Sequence, residues 1–496
     1  MSSTARKSFI EKRRAGILLH PTSLPGPQFC GDLGPNAYQF IEWMTLSGLS
    51  VWQMLPLNPT PGDGSPYQCQ SSFAGNTELI SVEQLVRDGF LEPHHAEQSI
   101  QTSEQLSAAI RTSLSFLETH ADETHRREFS NFCTYHQAWL DDWALFAALK
   151  KHYLQAGWTT WPEAIKKREP NALTKIKATL ITEIKLQQYA QFLFFFQWNN
   201  LKRFAAARKI LLFGDLPIFV SHDSCDVWSQ PEQFQLDSNG NPITVAGVPP
   251  DYFSETGQRW GNPHYNWPLM KQDNFGWWCR RIEIALQLVD ILRIDHFRGL
   301  EAYWEIPAQE ETAIKGSWRP APGKALLTRL QQAIDPLPIV AEDLGIITDE
   351  VVELRDSFNL PGMKILEFAF GGDASNPYLP HNHVPNCVVY TGTHDNNTLM
   401  GWIKSLDEKS LKSVCEYFAS KPNKLAWNMI RSAMLSVSEL AVIPMQDFLL
   451  LDEQHRMNVP GTLNNTNWKW RFNWVQIPET LAAEIHQLLT LYGRII

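Results

Sequence analysis

Eight short runs in this chain are apolar almost without interruption, and that repetition limits what it can fold into. They are "AGILLHP" from residue 15, "VWQMLPL" from 51, "ILLFGDLPIF" from 210 and "VDILRIDHF" from 289. Four more follow: "LPIVAED" from 337, "MKILEFAF" from 363, "CVVYTGTHD" from 387 and "LAVIPMQD" from 440. A strand with one wet face alternates apolar and polar residues, whereas a parallel strand covered on both faces does not. Helical patterns such as "AYQFIEWMTLSG" and "WWCRRIEIALQLV" lie between several runs. Eight β–helix units predict an α/β fold of the (β/α)8 barrel type spanning residues 1–496. A doubly wound sheet is the structural alternative, and the count of eight favours the barrel.

Two connections are too long for simple crossovers. Residues 60–205 include "HQAWLDDWALFAALKKHYL" and read as a mostly helical insertion after the second strand. Residues 220–275, rich in Gly, Pro, Asn and aromatics, read as a long structured loop after the third. Long loops of this kind usually serve as lids or binding loops.

Composition narrows the partners. A net charge of −10 with no basic block excludes nucleic acid and anionic membranes as expected partners. The longest apolar stretch, "FLFFFQW" at 192–198, is far too short to span a bilayer. The basic start "MSSTARKSFIEKRRAG" leads into no apolar signal segment, so a cytoplasmic location is expected. Seven cysteines without a CxxC pair read as reduced thiols. Nineteen tryptophans are an unusual supply. Most belong in a core, and the flat faces of the rest suit stacking on sugar rings.

In a barrel, chemistry sits at the carboxyl ends of the strands. Six polar residues cluster there: His20, Asp215, Asp295, Glu342, Asp395 and Asp447. A single acid at a strand end is more often a helix cap, but several at separate strand ends weaken that explanation, although some of the six are structural. Residues two apart in a strand share a face, so Arg293 and Asp295 point the same way. Arg293 then keeps Asp295 ionised, as a nucleophile requires. Glu342, with apolar neighbours and no adjacent cation in sequence, is the better proton donor. One ionised and one protonated carboxyl is the pairing that glycosidic bond chemistry uses. Asp395 is placed to hold a sugar's hydroxyls and distort its ring.

Metal and cofactor readings are weaker, and neither is expected. "HNH" at 381–383 precedes a strand instead of ending one. "DSNGNP" from 237 hints at a calcium loop, but Val248 stands where a bidentate Glu is required, so a tight turn is expected. "GGD" after Phe370 is read as a turn, and no phosphate-cradling glycine loop occurs.

The chain resembles the 4-alpha-glucanotransferases of glycoside hydrolase family 77, the amylomaltases or disproportionating enzymes. The matching stretches are "GDLGPNAYQF", "SPYQ", "GDLPIFV", "AGVPPDYFSETGQRWGNP", "LRIDHFRGLEAYWEIP", "AEDLGIIT", "YTGTHDNNT" and "RMNVPGT", in that order over residues 16 to 472. The resemblance implies that Asp295 is the nucleophile of a covalent glucosyl intermediate and Glu342 the general acid/base. It implies that Asp395 grips the sugar at subsite −1, with Tyr67 stacked on it and Asp215, Arg293 and His394 as polar neighbours. Ser65 in the same "SPYQ" motif joins the substrate contacts. His296, Gln258, Trp260 and Asn458 would line the acceptor side, and the loop with Tyr252 and Phe253 would fold over the glucan. The implied partners are α-1,4-glucans and maltooligosaccharides, with glucose as an acceptor. The chain departs from the family at Gly62 and Gly64, where many relatives carry a tyrosine and an aspartate. Two other readings share features with this one. An α-amylase-like hydrolase uses the same three acids, and a non-catalytic glucan-binding barrel would lack at least one of them.

Overall fold

The computed structural model describes residues 9–10, 12–95, 99–120, 123–250 and 254–496. All eight runs are strands of one parallel sheet, labelled here β1 (Arg14–Leu18), β2 (Val51–Gln53), β3 (Leu211–Pro217) and β4 (Ile291–Asp295), then β5 (Ile339–Ala341), β6 (Gly362–Ile365), β7 (Cys387–Tyr390) and β8 (Leu440–Pro444). Each pairs with its successor except at one seam, and β8 returns to pair with β1. At the seam the Ala341 amide donates to the Pro361 carbonyl at 2.9 Å, which draws β5 to the start of β6 and curls the sheet into a (β/α)8 barrel. Twelve or more apolar side chains from these strands are fully shielded, as a parallel sheet wrapped in helices demands. The glycine in "LFGDLP" has a packing reason: a Cβ on Gly214 would lie 2.8 Å from the Val289 side chain.

The region between β2 and β3 holds helices Ser103–Thr119, Glu123–His152 and Ile181–Ala207, besides shorter ones. Phe129 and Phe132 of the second helix pack on Phe192 and Phe195 of the third. The third helix also carries two glutamines with no solvent exposure, Gln191 and Gln197. Each pairs with one backbone peptide of the extended segment that leaves β2. Gln191 accepts from Gly75 N at 2.8 Å and donates to Gly75 O at 2.9 Å. Gln197 does the same with Ser81, both at 2.9 Å. Burial of these two side chains is tolerated because each amide oxygen and each amide nitrogen has a backbone partner.

The segment after β3 is structured, and its structure is regular. Thr244–Val248 and Gln258–Pro263 form an antiparallel hairpin. Ala302–Pro307 and Ser317–Pro320 extend it to four strands, which the sequence reading did not anticipate. Two side chains tie this sheet to the barrel mouth: Tyr265 donates to the Ile218 carbonyl at 2.6 Å and Asn262 to the Val220 carbonyl at 2.9 Å. "DSNGNP" is the tight turn expected, with Asp237 Oδ1 accepting from the amides of Asn239 and Asn241. In "HNH", His381 contacts Tyr417 and His383 contacts Ser436. No helix among the described residues is long and apolar enough to cross a membrane.

Replacing Gln197 with Leu keeps the volume but strands the amide and carbonyl of Ser81. The expected result is a stability loss of about 2–4 kcal/mol, since each orphaned buried group costs about 1–3 kcal/mol. A lowered urea midpoint at unchanged slope is the measurement.

Candidate active site

The register of the barrel sets the site. β3 and β4 pair so that Asp215 lies opposite Arg293, and Pro217 opposite Asp295. Arg293 and Asp295 do share a face, and the guanidinium bridges two acids. Its Nη1 donates to Asp215 Oδ2 at 2.5 Å and its Nη2 to Asp295 Oδ1 at 2.7 Å. Arg293 and Asp215 are almost fully shielded, whereas the Asp295 side chain is 29% exposed to the cleft. Asp215 accepts a further hydrogen bond from Tyr67 Oη at 2.6 Å. Tyr67 arrives on the loop that follows β2, and its ring stacks on His394 at 5.2 Å and 13°. Ser65 sits on that loop two residues before it, its amide donating to Asp63 Oδ1 at 3.0 Å.

Glu342 follows β5 and faces the same cleft. His296 N donates to its Oε2 at 2.7 Å and Leu344 N to its Oε1 at 3.0 Å. The residue directly after Asp295 therefore holds the second acid. It does so from a left-handed conformation, φ 53°, uncommon for a residue with a side chain and typical of functional sites. Enclosure pushes Glu342 up to about 8 and the Asp295 charge pushes the same way, against Arg293 and the two amides. At neutral pH it bears a proton. The His296 ring packs edge-on to Trp260 at 4.9 Å, and burial pushes its pKa down to about 4. Trp260 Nε1 in turn donates to Gln258 at 3.1 Å, so both residues sit together on the hairpin over the cleft.

Asp395, in the loop after β7, is the most open acid of the three, with 48% of its side chain exposed. Asn458 Nδ2 donates to its Oδ1 at 2.7 Å, and His394 Nε2 lies 3.4 Å from Oδ2. Enclosure raises its pKa, but His394, Asn458 and Arg293 outweigh that and hold the carboxylate below its usual range. Tyr252 and Phe253 lie outside the described residues.

Two of the six strand-end residues serve other ends. Asp447 is fully shielded and accepts from Leu399 N at 2.7 Å and Thr391 Oγ1 at 2.6 Å, which anchors a helix start. His20 is buried beside a small cavity behind His394, and burial pushes it down to about 3. The structure also adds residues that the sequence reading passed over. Trp468 presents a half-buried indole 5.8 Å from Tyr67 and 6.1 Å from His394. Phe368, 38% exposed just past β6, offers an apolar face at the barrel mouth. The one signal in sequence was "NWKW" shortly after "RMNVPGT", a pair of tryptophans in an otherwise polar stretch.

A proton-bearing carboxyl, an arginine-paired carboxylate and a third acid beside exposed aromatic rings can cleave and reform a glycosidic bond. Among the described residues, no cluster of His, Cys, Asp and Glu is arranged to hold a metal ion. Comparison with known proteins gives this geometry a family. The model of a glycoside hydrolase family described as 4-alpha-glucanotransferase matches residues 19–477. A 4-alpha-glucanotransferase of Synechocystis is 46% identical, covering 98% of this chain and 99% of its own length. One of Thermus thermophilus is 45% identical, covering 95% and 96%. The structure of amylomaltase from Streptococcus agalactiae in complex with acarbose superposes with a TM-score of 0.93 at 36% identity, over 98% of this chain and 100% of that one. The chain therefore belongs to glycoside hydrolase family 77 and acts as a 4-alpha-glucanotransferase.

Proposed function

We propose that the enzyme moves a segment of an α-1,4-glucan to the 4-hydroxyl of glucose or a maltooligosaccharide, with Asp295 as nucleophile and Glu342 as acid/base. The observation that carries this is the pair itself: Glu342, whose enclosure favours its protonated form, tied through one peptide amide to an arginine-paired Asp295. Glu342 gives its proton to the leaving glycosidic oxygen while an Asp295 oxygen bonds to the anomeric carbon. The leaving segment departs with its new hydroxyl. The ionised Glu342 then takes the proton of the acceptor's 4-hydroxyl, whose oxygen bonds to the anomeric carbon as the Asp295 bond breaks. Two displacements at one carbon restore the α configuration.

Asp395 grips the hydroxyls of the sugar at subsite −1, with Tyr67, Asp215, Arg293 and His394 around it and Ser65 on the adjoining loop. His296, Gln258, Trp260 and Asn458 serve the acceptor side. Transfer in place of hydrolysis requires that water be kept from the intermediate. We assign that duty to the segment 220–275, whose hairpin sets Trp260 against His296, and in this reading Tyr252 and Phe253 of the same segment fold over the glucan. The Streptococcus agalactiae relative's acarbose complex supports an oligosaccharide as the occupant of this cleft. A cytoplasmic setting fits seven unpaired cysteines.

Four outcomes are expected. With maltotriose alone, the enzyme is expected to yield glucose and a ladder of longer maltooligosaccharides at a constant number of reducing ends. Asp295→Asn is expected to abolish that ladder by about 10⁴-fold while leaving glucan affinity nearly intact; transfer at the native rate would remove Asp295 from the role. Because Glu342 must carry its proton to act as an acid, kcat/KM falls as pH rises through about 8, and the acid form is retained below it. A pH–rate profile locates that alkaline limb. Trp260→Ala is expected to raise the share of hydrolysis severalfold, read as new reducing ends per transfer event.

A further inference from the structure

Asp395 is too exposed for packing to fix the direction of its carboxylate, so hydrogen bonds must do so. Asn458 supplies one of them, to Oδ1 at 2.7 Å. Yet Asn458 lies in a segment without helix or strand between Arg456 and Asn473, and something has to place it. Its own carbonyl accepts from Arg456 Nε at 3.1 Å. The same guanidinium, through Nη2, donates to the backbone carbonyl of Asp395 at 2.9 Å. Three hydrogen bonds thus close a ring: Arg456 to the Asp395 backbone, Asp395 carboxylate to Asn458 side chain, Asn458 backbone to Arg456. A guanidinium presents its donors in a rigid planar fork, so two carbonyls bound to it are held at one fixed spacing.

The far side of this ring is also built. Glu367, at the end of β6, is 8% exposed and its charge would face Arg456. Gly392 makes the approach possible, since a Cβ there would stand 2.9 Å from Glu367 Oε1. Asn396 closes the turn bearing Asp395, its Oδ1 accepting from Thr393 N at 2.9 Å and Thr393 Oγ1 at 2.8 Å, and its side chain also hydrogen-bonds Glu367.

We propose that Arg456 is a positioning residue for the transfer reaction: it locks the loop of Asp395 to the loop of Asn458 and so aims the Asp395 carboxylate at the sugar. The proposal rests on the reading of Asp395 as the group that grips the sugar at subsite −1. A brace with a purely structural duty would change stability, and a substrate contact would change KM. An aiming device changes kcat, because misdirection of a group that acts most strongly in the transition state leaves ground-state binding almost untouched.

Arg456→Met keeps the stem and removes the fork. With maltotriose as substrate, kcat is expected to fall about 10- to 100-fold with KM within about twofold of native. Arg456→Lys keeps the charge but offers no fork, and should recover only part of the loss. In combination with Asn458→Ala, the double variant should lose no more than the worse single one, since both break the same ring. Losses that multiply, a rise confined to KM, or native kcat in a folded Arg456→Lys enzyme would each overturn the proposal. Circular dichroism establishes folding, and if the Met variant is unfolded the Lys variant decides alone. Native enzyme run in parallel keeps the two questions apart. Reducing ends that grow without longer products would refute transfer as the activity, while the kcat ratios would still judge Arg456.

Discussion

A buried guanidinium between two carboxylates holds the mouth of this barrel together. Arg293 brings one charge to Asp215 and Asp295, on neighbouring strands, where two acids facing each other would otherwise repel. Shielded ions are tolerated only when they are paired and hydrogen-bonded, and here both terminal nitrogens of the guanidinium meet a carboxylate. Through Asp215 the arginine orients Tyr67, and its second arm holds the Asp295 carboxylate that opens to the cleft. Its field also restrains how far burial lifts Glu342. The geometry of one ion cluster thus reaches Tyr67, Asp295 and Glu342.

The barrel was readable because its strands are covered on both faces, and such strands leave an unbroken apolar mark. The pairing of Arg293 with Asp295 was readable too, because period two is a local property of a strand. The accessory sheet was not. "TVAGV", "QRWGNP", "AYWEIP" and "SWRP" are short and mixed in polarity, and the two antiparallel pairs they form join into one sheet only through the distant pairing of "TVAGV" with "AYWEIP". Nor could local pattern tell Asp447 from Asp295. Both close an apolar run, but one turns back to Leu399 N and the other out to the cleft. Trp468 and Arg456 escaped for the same reason, since their neighbours come from distant loops.

The residues proposed to meet substrate are spread over loops, but these loops are pinned at a few polar points. The Tyr67 loop continues into the segment whose peptides Gln191 and Gln197 clasp. The hairpin is pinned by Tyr265 and Asn262 to the carbonyls that follow β3. Such anchoring lets a barrel present irregular segments with the precision that catalysis demands. It also explains polar residues in places where an apolar core would be more stable.

The left-handed His296 carries a consequence for how this enzyme can vary. Its amide stands one residue beyond Asp295 and touches Glu342, so the distance between the two acids is written into three consecutive atoms of backbone. A single inserted or deleted residue at that point would dislocate both acids together, and no compensating side chain elsewhere could restore them.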